Sequence, residues 1–196
     1  MRIIAAPNAF KGSLSATDAA NAMKSGILAA MPDCDVVCVP VADGGDGLTE
    51  VMAQALSGTF IRHTVMGPRM EPLSSLFCLA ESEGLAVIEM ARASGLALIP
   101  KDKQDPTKTS TYGTGELIRA ALDRGVRRIV VGLGGSATCD GGIGMAAALG
   151  FRFLDRNGKV VVPIGGSLQL VRSIDRSEVD GRLQNVIVEG ACDVTN

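Results

Sequence analysis

The segment GLGGSATCDGGIG, residues 132–144, places six glycines in thirteen positions directly after RRIVV, a run with the character of a buried strand. A glycine inside a regular element costs roughly 0.5–1 kcal/mol relative to alanine, so this density needs a local cause: a tight turn, or a ligand approaching bare backbone. A shorter version stands at 42–47 as ADGGDG, so Asp-Gly-Gly-x-Gly begins at both Asp43 and Asp140. Each cluster falls between a strand and a helix, where open α/β sheets carry their ligand loops.

The flanking patterns support that placement. RIIAAP (2–7) reads as a short buried strand ended by Pro7, and SATD from Ser15 opens a helix whose Ala19, Ala22, Met23, Gly26, Ile27 and Ala30 share one face. DVVCVPVA (35–42) is a second strand, and Leu48, Val51, Met52, Ala55 and Leu56 form a second helical stripe running to Gly58. The order β-α-β-α predicts parallel strands with a right-handed crossover over residues 1–60. Beyond it, TFIRHTVMGP, LSSLFCLAES and LAVIEMA read as short antiparallel strands, with ESEG (81–84) a hairpin connection. The polar stretch 100–116 has no periodicity and is expected as a long surface loop. A helix from Glu116, a strand (127–133), the glycine cluster, a helix (144–150), a hairpin (151–162) around Arg156-Asn157-Gly158 and a strand (185–193) follow. The expected class is α/β: a Rossmann-like parallel βαβ unit (1–60) plus a second, mixed-sheet α/β domain (61–196). Because the chain stops at the carboxyl end of a strand, it is expected to be truncated on that side.

Lys+Arg number 19 against Asp+Glu 21, with no basic cluster, which gives no electrostatic footprint for nucleic acid or an anionic membrane surface. No stretch approaches the ~18 apolar residues of a membrane span, and the N-terminal apolar run is too short for a signal peptide. The five cysteines are scattered without a C-x-x-C pair and are read as reduced thiols, which places the chain in the cytoplasm.

Three loops share one grammar, a strand, then Gly with Ser, Thr or Asp, then a helix: NAFKGSLS, ADGGDG and GGSATCDGGIG. TSTYGTGE is a fourth helix start. Helix amino ends offer unpaired N–H groups to anionic oxygens, so phosphate or carboxylate binding is expected there. Neither G-x-x-x-x-G-K-[ST] nor a G-x-G-x-x-G opening the first helix is present, which excludes the usual P-loop and dinucleotide folds. Phosphoryl transfer needs a cation over the phosphates, a metal ligand and a carboxylate for the acceptor hydroxyl. Lys11 supplies the first, and Asp43, Asp46, Asp140 and Asp193 are candidates for the others. Asp46, taken alone, is read first as a helix cap and second as a ligand. Asp43 stands two glycines further back and has no capping duty.

Taken together, APNAFKGSLSA (6–16), VPVADGGDG (39–47), TYGTGELI (111–118), GLGGSATCDGG (132–142) and ACDVTN (191–196) resemble the bacterial glycerate kinase family of the glycerate 2-kinase type, with MGP (66–68) and EMARASGLALIP (89–100) in the same order. The resemblance implies ATP- and Mg2+-dependent phosphorylation of D-glycerate in a cleft between two domains. It implies Lys11, Asp43 and Asp193 as catalytic groups, with Asp43 and Asp193 also toward the metal. Ser13, Gly44, Gly45, Asp46, Thr114, Gly134, Gly135, Ser136, Thr138 and Asp140 are expected around substrate and phosphates. Family members run to nearly twice this length, so the chain resembles an amino-terminal part. It departs from the family at Asn8-Ala9 (usually Asp-Ser), Asp46 (Glu), Leu48 (Thr), Met70 (Gly) and Cys139 (Asn). The alternatives are a non-catalytic small-anion-binding module on the same scaffold and an ATP-independent enzyme. Self-association into a homo-oligomer is left open.

Overall fold

Strand β1 (Arg2–Ala5) finds its partner only after a crossover, because helix α1 (Ala16–Ala30) intervenes before strand β2 (Asp35–Cys38) pairs with it in parallel, Arg2 opposite Asp35. The computed structural model describes residues 1–192. Ser15 caps α1 as its sequence implies, its hydroxyl accepting from the Asp18 N–H at 3.1 Å. β2 is shorter than its apolar run because Pro40 lacks an N–H, although Val39 and Val41 still donate to Ala5 and Pro7 at 2.8 and 3.1 Å.

Helix α2 (Leu48–Leu56) leads into the main sheet. Strands β3 (Thr59–Met66), β4 (Pro72–Ala80) and β5 (Leu85–Glu89) pair antiparallel, as their short alternating runs imply, with the Glu81–Glu83 turn and Gly84 joining the last two. A one-turn helix α3 (Ala91–Ser94), 3-10 turns within 96–108 and helix α4 (Tyr112–Leu122) follow. Strand β6 (Arg128–Gly132) pairs in parallel with β5. Helix α5 (Ile143–Ala148), strands β7 (Arg152–Leu154) and β8 (Ser173–Asp175), and strand β9 (Ile187–Ala191), parallel to β6, complete the described chain. The sheet order β3-β4-β5-β6-β9 is mixed, as expected.

Alternation in β4 and β5 sorts the core. Phe77, Leu79, Ala86 and Ile88 join Leu117, Ile118, Ala121 and Ile129 on the α4 side, while Cys78, Ala80, Leu85 and Val87 meet Leu48 and Ala53 of α2 on the other. Strand β5 is thus buried on both faces, which is why LAVIE reads as a continuous buried run. Among the described residues no helix is long and apolar enough to cross a membrane.

Three local expectations are corrected. Helix α4 starts at Tyr112, four residues before Glu116, and its glycines serve packing: a Cβ on Gly113 would lie 1.8 Å from the Met66 carbonyl oxygen, and one on Gly115 2.2 Å from that of Met145. The stretch 100–116 is not all surface loop, because Thr109, Ser110 and Thr111 are buried and donate their hydroxyls to Ala137 O, Pro163 O and Asp140 at 2.9, 2.5 and 2.8 Å. The 151–162 hairpin keeps its turn, Asp155 N donating to Lys159 O at 2.9 Å, but its return arm makes only the Leu154–Val160 bridge, and β7 pairs instead with β8.

Candidate functional site

Register aligns the carboxyl ends of the three parallel strands: Glu89 lies opposite Gly132, and Gly132 opposite Ala191. The 43–47 loop crosses this edge. Gly44 O accepts from Gly134 N at 3.1 Å, and Leu133 N donates to Ala191 O at 3.0 Å. The crossing has no room for a side chain. A Cβ on Gly132 would lie 2.5 Å from Gly44 O, one on Gly134 2.6 Å from Gly45 Cα, and one on Gly44, at φ +89°, 2.4 Å from Ala191 O. Positions 44, 132 and 134 are therefore glycine because the backbones of the two loops touch there.

The N-terminal loop reaches the same place. The Asn8 amide donates to Asp43 Oδ2 at 3.1 Å, while Gly45 N donates to Asp43 Oδ1 at 3.2 Å. Asn8 thus supplies a neutral donor to the Asp43 carboxylate. Lys11 and Ser13 lie three and five residues on, exposed, in a turn closed by Ser13 N to Phe10 O at 2.9 Å with Gly12 at φ +73°. Asp46 is exposed and does not cap α2, whose cap position is Gly47 at φ 90°. Among the described residues neither Lys11 nor Asp46 makes an ion pair. Hydrogen bonds join Asn8 to Asp43 and Gly44 to Gly134, while Lys11 and Ser13 follow Asn8 in its exposed turn; Asp193 lies outside the described residues.

Asp140 and Thr114 sit elsewhere, inside the protein. Asp140 is 1% exposed, and its carboxylate accepts from Thr111 N (2.7 Å), Thr111 Oγ1 (2.8 Å), Gly142 N (3.0 Å) and Gly144 N (3.1 Å). Met145 N in turn donates to Thr111 Oγ1 at 2.8 Å, so this one carboxylate clasps the amino ends of α4 and α5. Thr114 is buried and shares a 2.8 Å hydrogen bond with Ser94. Ser136 and Thr138 stay nearer the surface, their hydroxyls 2.8 Å apart, and Gly135 at φ +71° lies beside Asp46. The anion acceptors that helix amino ends invite are here largely the chain's own oxygens.

One group escaped the sequence reading. Glu89, 3% exposed, accepts from Thr49 N at 2.7 Å and Thr49 Oγ1 at 2.8 Å, so a buried carboxylate holds the amino end of α2. Arg92 Nε lies 3.2 Å from its other oxygen and the same guanidinium pairs with Glu50. Burial works against charge on Glu50, but the Arg92 charge and hydrogen bond outweigh it and hold the Glu50 carboxyl below its usual range. The available signal was an acid ending an otherwise apolar buried run, LAVIE.

Residues 3–196 match the glycerate kinase family. The chain is 50% identical over its whole length to the glycerate kinase of Bacillus subtilis (strain 168), covering 51% of that protein, and 45% identical to the glycerate 2-kinase of Escherichia coli (strain K12), again covering 51%. The crystal structure presented as glycerate kinase 2 from Salmonella typhimurium LT2 superposes with a TM-score of 0.89 at 45% identity, over 100% of this chain and 52% of that one. The chain spans about half the length of the curated relatives it matches. A profile match over nearly every residue, with the glycine loops meeting at one sheet edge, establishes that this chain belongs to the glycerate kinase family.

Proposed function

We propose that the chain carries part of the site for phosphoryl transfer from ATP to a hydroxyl of D-glycerate, acting in the cytoplasm, where ATP is supplied and its cysteines stay reduced. The observation that carries this reading is the convergence of three loops on one edge: Asn8 bonds Asp43, and Gly44 bonds Gly134. In this reading Lys11 neutralises the transferring phosphate, and Asp43, held in orientation by Asn8 and Gly45 N, aligns the glycerate hydroxyl and accepts its proton. Ser13, Gly44, Gly45, Asp46, Gly134, Gly135, Ser136 and Thr138 surround the ligands, whereas Asp140 and Thr114 support the loops from beneath. The division into units at residues 1–60 and 61–196 belongs to the same proposal.

Mg2+ fits this donor set in a limited way. Among the described residues no group of three acidic, cysteine or histidine side chains could cage a metal. Mg2+ does not need one, since it commonly binds through one or two carboxylates and the phosphates themselves. Asp43, exposed and with one donor on each oxygen, is the described carboxylate placed for this, with Asp193 as its proposed companion. Bound there, the ion would neutralise phosphate charge.

The test is phosphate transfer from ATP to D-glycerate by this chain alone and joined to the second half of the Bacillus subtilis relative. Asp43→Asn is expected to lower kcat by about 10²-fold or more. Turnover near that of the parent removes Asp43 from the mechanism. Glycerate binding without turnover in both forms favours the binding-module alternative.

A further inference from the structure

A cavity of about 260 Å3 opens between the 96–106 segment and the 136–139 loop, sharing only Ser136 and Thr138 with the proposed site. Leu96, Ile99, Pro106 and Ala137 make its apolar walls, and Gln104 and Asp105 are its polar side chains on the 96–106 side. It is continuous in the chain with Gly134 and Gly135, where the two glycine loops meet.

Charge decides what such a cavity accepts. No lysine or arginine lines it, and Lys108, which pairs with Asp105 at 2.9 Å, is not among the lining residues. Hydrogen bonds from Thr107 first, then Lys108, hold the Asp105 carboxyl at about 2, so it is ionised near neutral pH. A small acid such as glycerate would bring a carboxylate to a site that already carries one and offers no counter-charge. The volume lies below the roughly 300 Å3 at which pockets for whole small molecules begin, so it suits one apolar group of a larger ligand. Gln104 donates its amide nitrogen to Ile99 O at 3.2 Å, leaving its carbonyl oxygen; Asp105 adds a carboxylate that already accepts from Thr107 and pairs with Lys108, and the Ser136 and Thr138 hydroxyls are bonded to each other. An apolar slot edged by acceptors and lacking a cation suits a flat, uncharged aromatic ring bearing an amino group.

We propose that this cavity receives the purine base of the phosphoryl donor, which leaves the phosphates to extend along Ser136 and Gly135 toward Asp43. The assignment rests on the kinase reading above, which supplies a nucleotide as substrate. Exposed Cys139 lines the cavity and reports on it.

The experiment is the rate of N-ethylmaleimide alkylation of Cys139 in the 196-residue chain, read by peptide mass, with Cys34 and Cys192 as internal controls. Adenosine is the first probe because it has no phosphates. At about ten times its Kd it is expected to slow Cys139 about tenfold and leave the controls unchanged. Leu96→Trp, at a residue 46% exposed, is expected to remove that protection by filling the mouth. Protection by ATP but not adenosine, protection by glycerate instead, or no protection by either overturns the assignment. The two readings separate cleanly. Adenosine protection without phosphate transfer keeps the cavity and removes the kinase reading, whereas phosphate transfer without protection does the reverse.

Discussion

Met70 holds a φ of 61°, left-handed backbone that side chains rarely adopt, in a turn closed by its N–H to Gly67 O at 2.9 Å. The strain is worth about 1–2 kcal/mol, against roughly 0.5–1 kcal/mol for the extra freedom glycine brings to the unfolded chain. Met70→Gly is therefore expected to raise stability by about 0.5–1 kcal/mol, seen as a higher denaturant midpoint at unchanged slope. Asp140 gives the opposite case. Asp140→Ala strands buried donors at Thr111, Gly142 and Gly144 and is expected to cost about 3 kcal/mol or more. An Asp140→Ala chain as stable as the parent, with ligand affinity lost, would return this residue to the substrate. Sequence marked Asp140 as important because its motif repeats that of Asp43, yet the two differ in burial, which depends on what packs above each loop.

At the level of elements, α2 is held through its first turn. Glu89→Leu removes both acceptor bonds to Thr49, so amide exchange across 48–53 is expected to rise while β5 and β6 stay protected. Glu89→Gln retains a carbonyl oxygen and should restore most of the protection. Exchange that rises uniformly through the sheet would make Glu89 a general core residue and not a clasp on α2. The Glu50–Arg92 pair adds a pH dependence. Because the folded Glu50 carboxyl lies below its ordinary 4.5, the folded state binds fewer protons there than the unfolded one. Its contribution is complete above 4.5 and fades as pH falls below it. A Glu50→Gln chain should show a shallower loss of Tm between pH 5 and 3 than the parent. Helix α1, capped by Ser15 and striped on one face, was legible from local pattern alone. The first turn of α4 was not, since TYGTG has loop composition, and its glycines let the helix approach the Met66 and Met145 backbone.

For the whole molecule, the distribution of apolar surface is uneven. The middle of the main sheet, at β4 and β5, packs on both faces, while β1 and β2 leave Ile4 64% exposed beside a hollow of about 500 Å3 that Met23 and Ile27 also line. Exposed apolar side chains gathered in this way are where a hydrophobic probe binds. The isolated chain is expected to enhance the fluorescence of a hydrophobic dye, and joining it to the second half of the Bacillus subtilis relative is expected to reduce that signal. An Ile4→Lys chain should show weaker dye binding with an unchanged Tm. Equal dye binding by the isolated and joined chains would place the covering surface elsewhere.

The sequence by itself determined the class of fold, the strands and helices with clear periodicity, and the loops that carry Lys11, Asp43 and Gly134, because these follow from local spacing of apolar residues and from where glycines interrupt it. Only the tertiary structure decided which glycines face backbone and which carboxylates face solvent. Asp43 and Asp140 share a motif, but one is exposed beside Asn8 and the other is buried between two helices. Burial and hydrogen-bond partners come from residues distant in the chain, and those contacts have no periodicity for a sequence pattern to display.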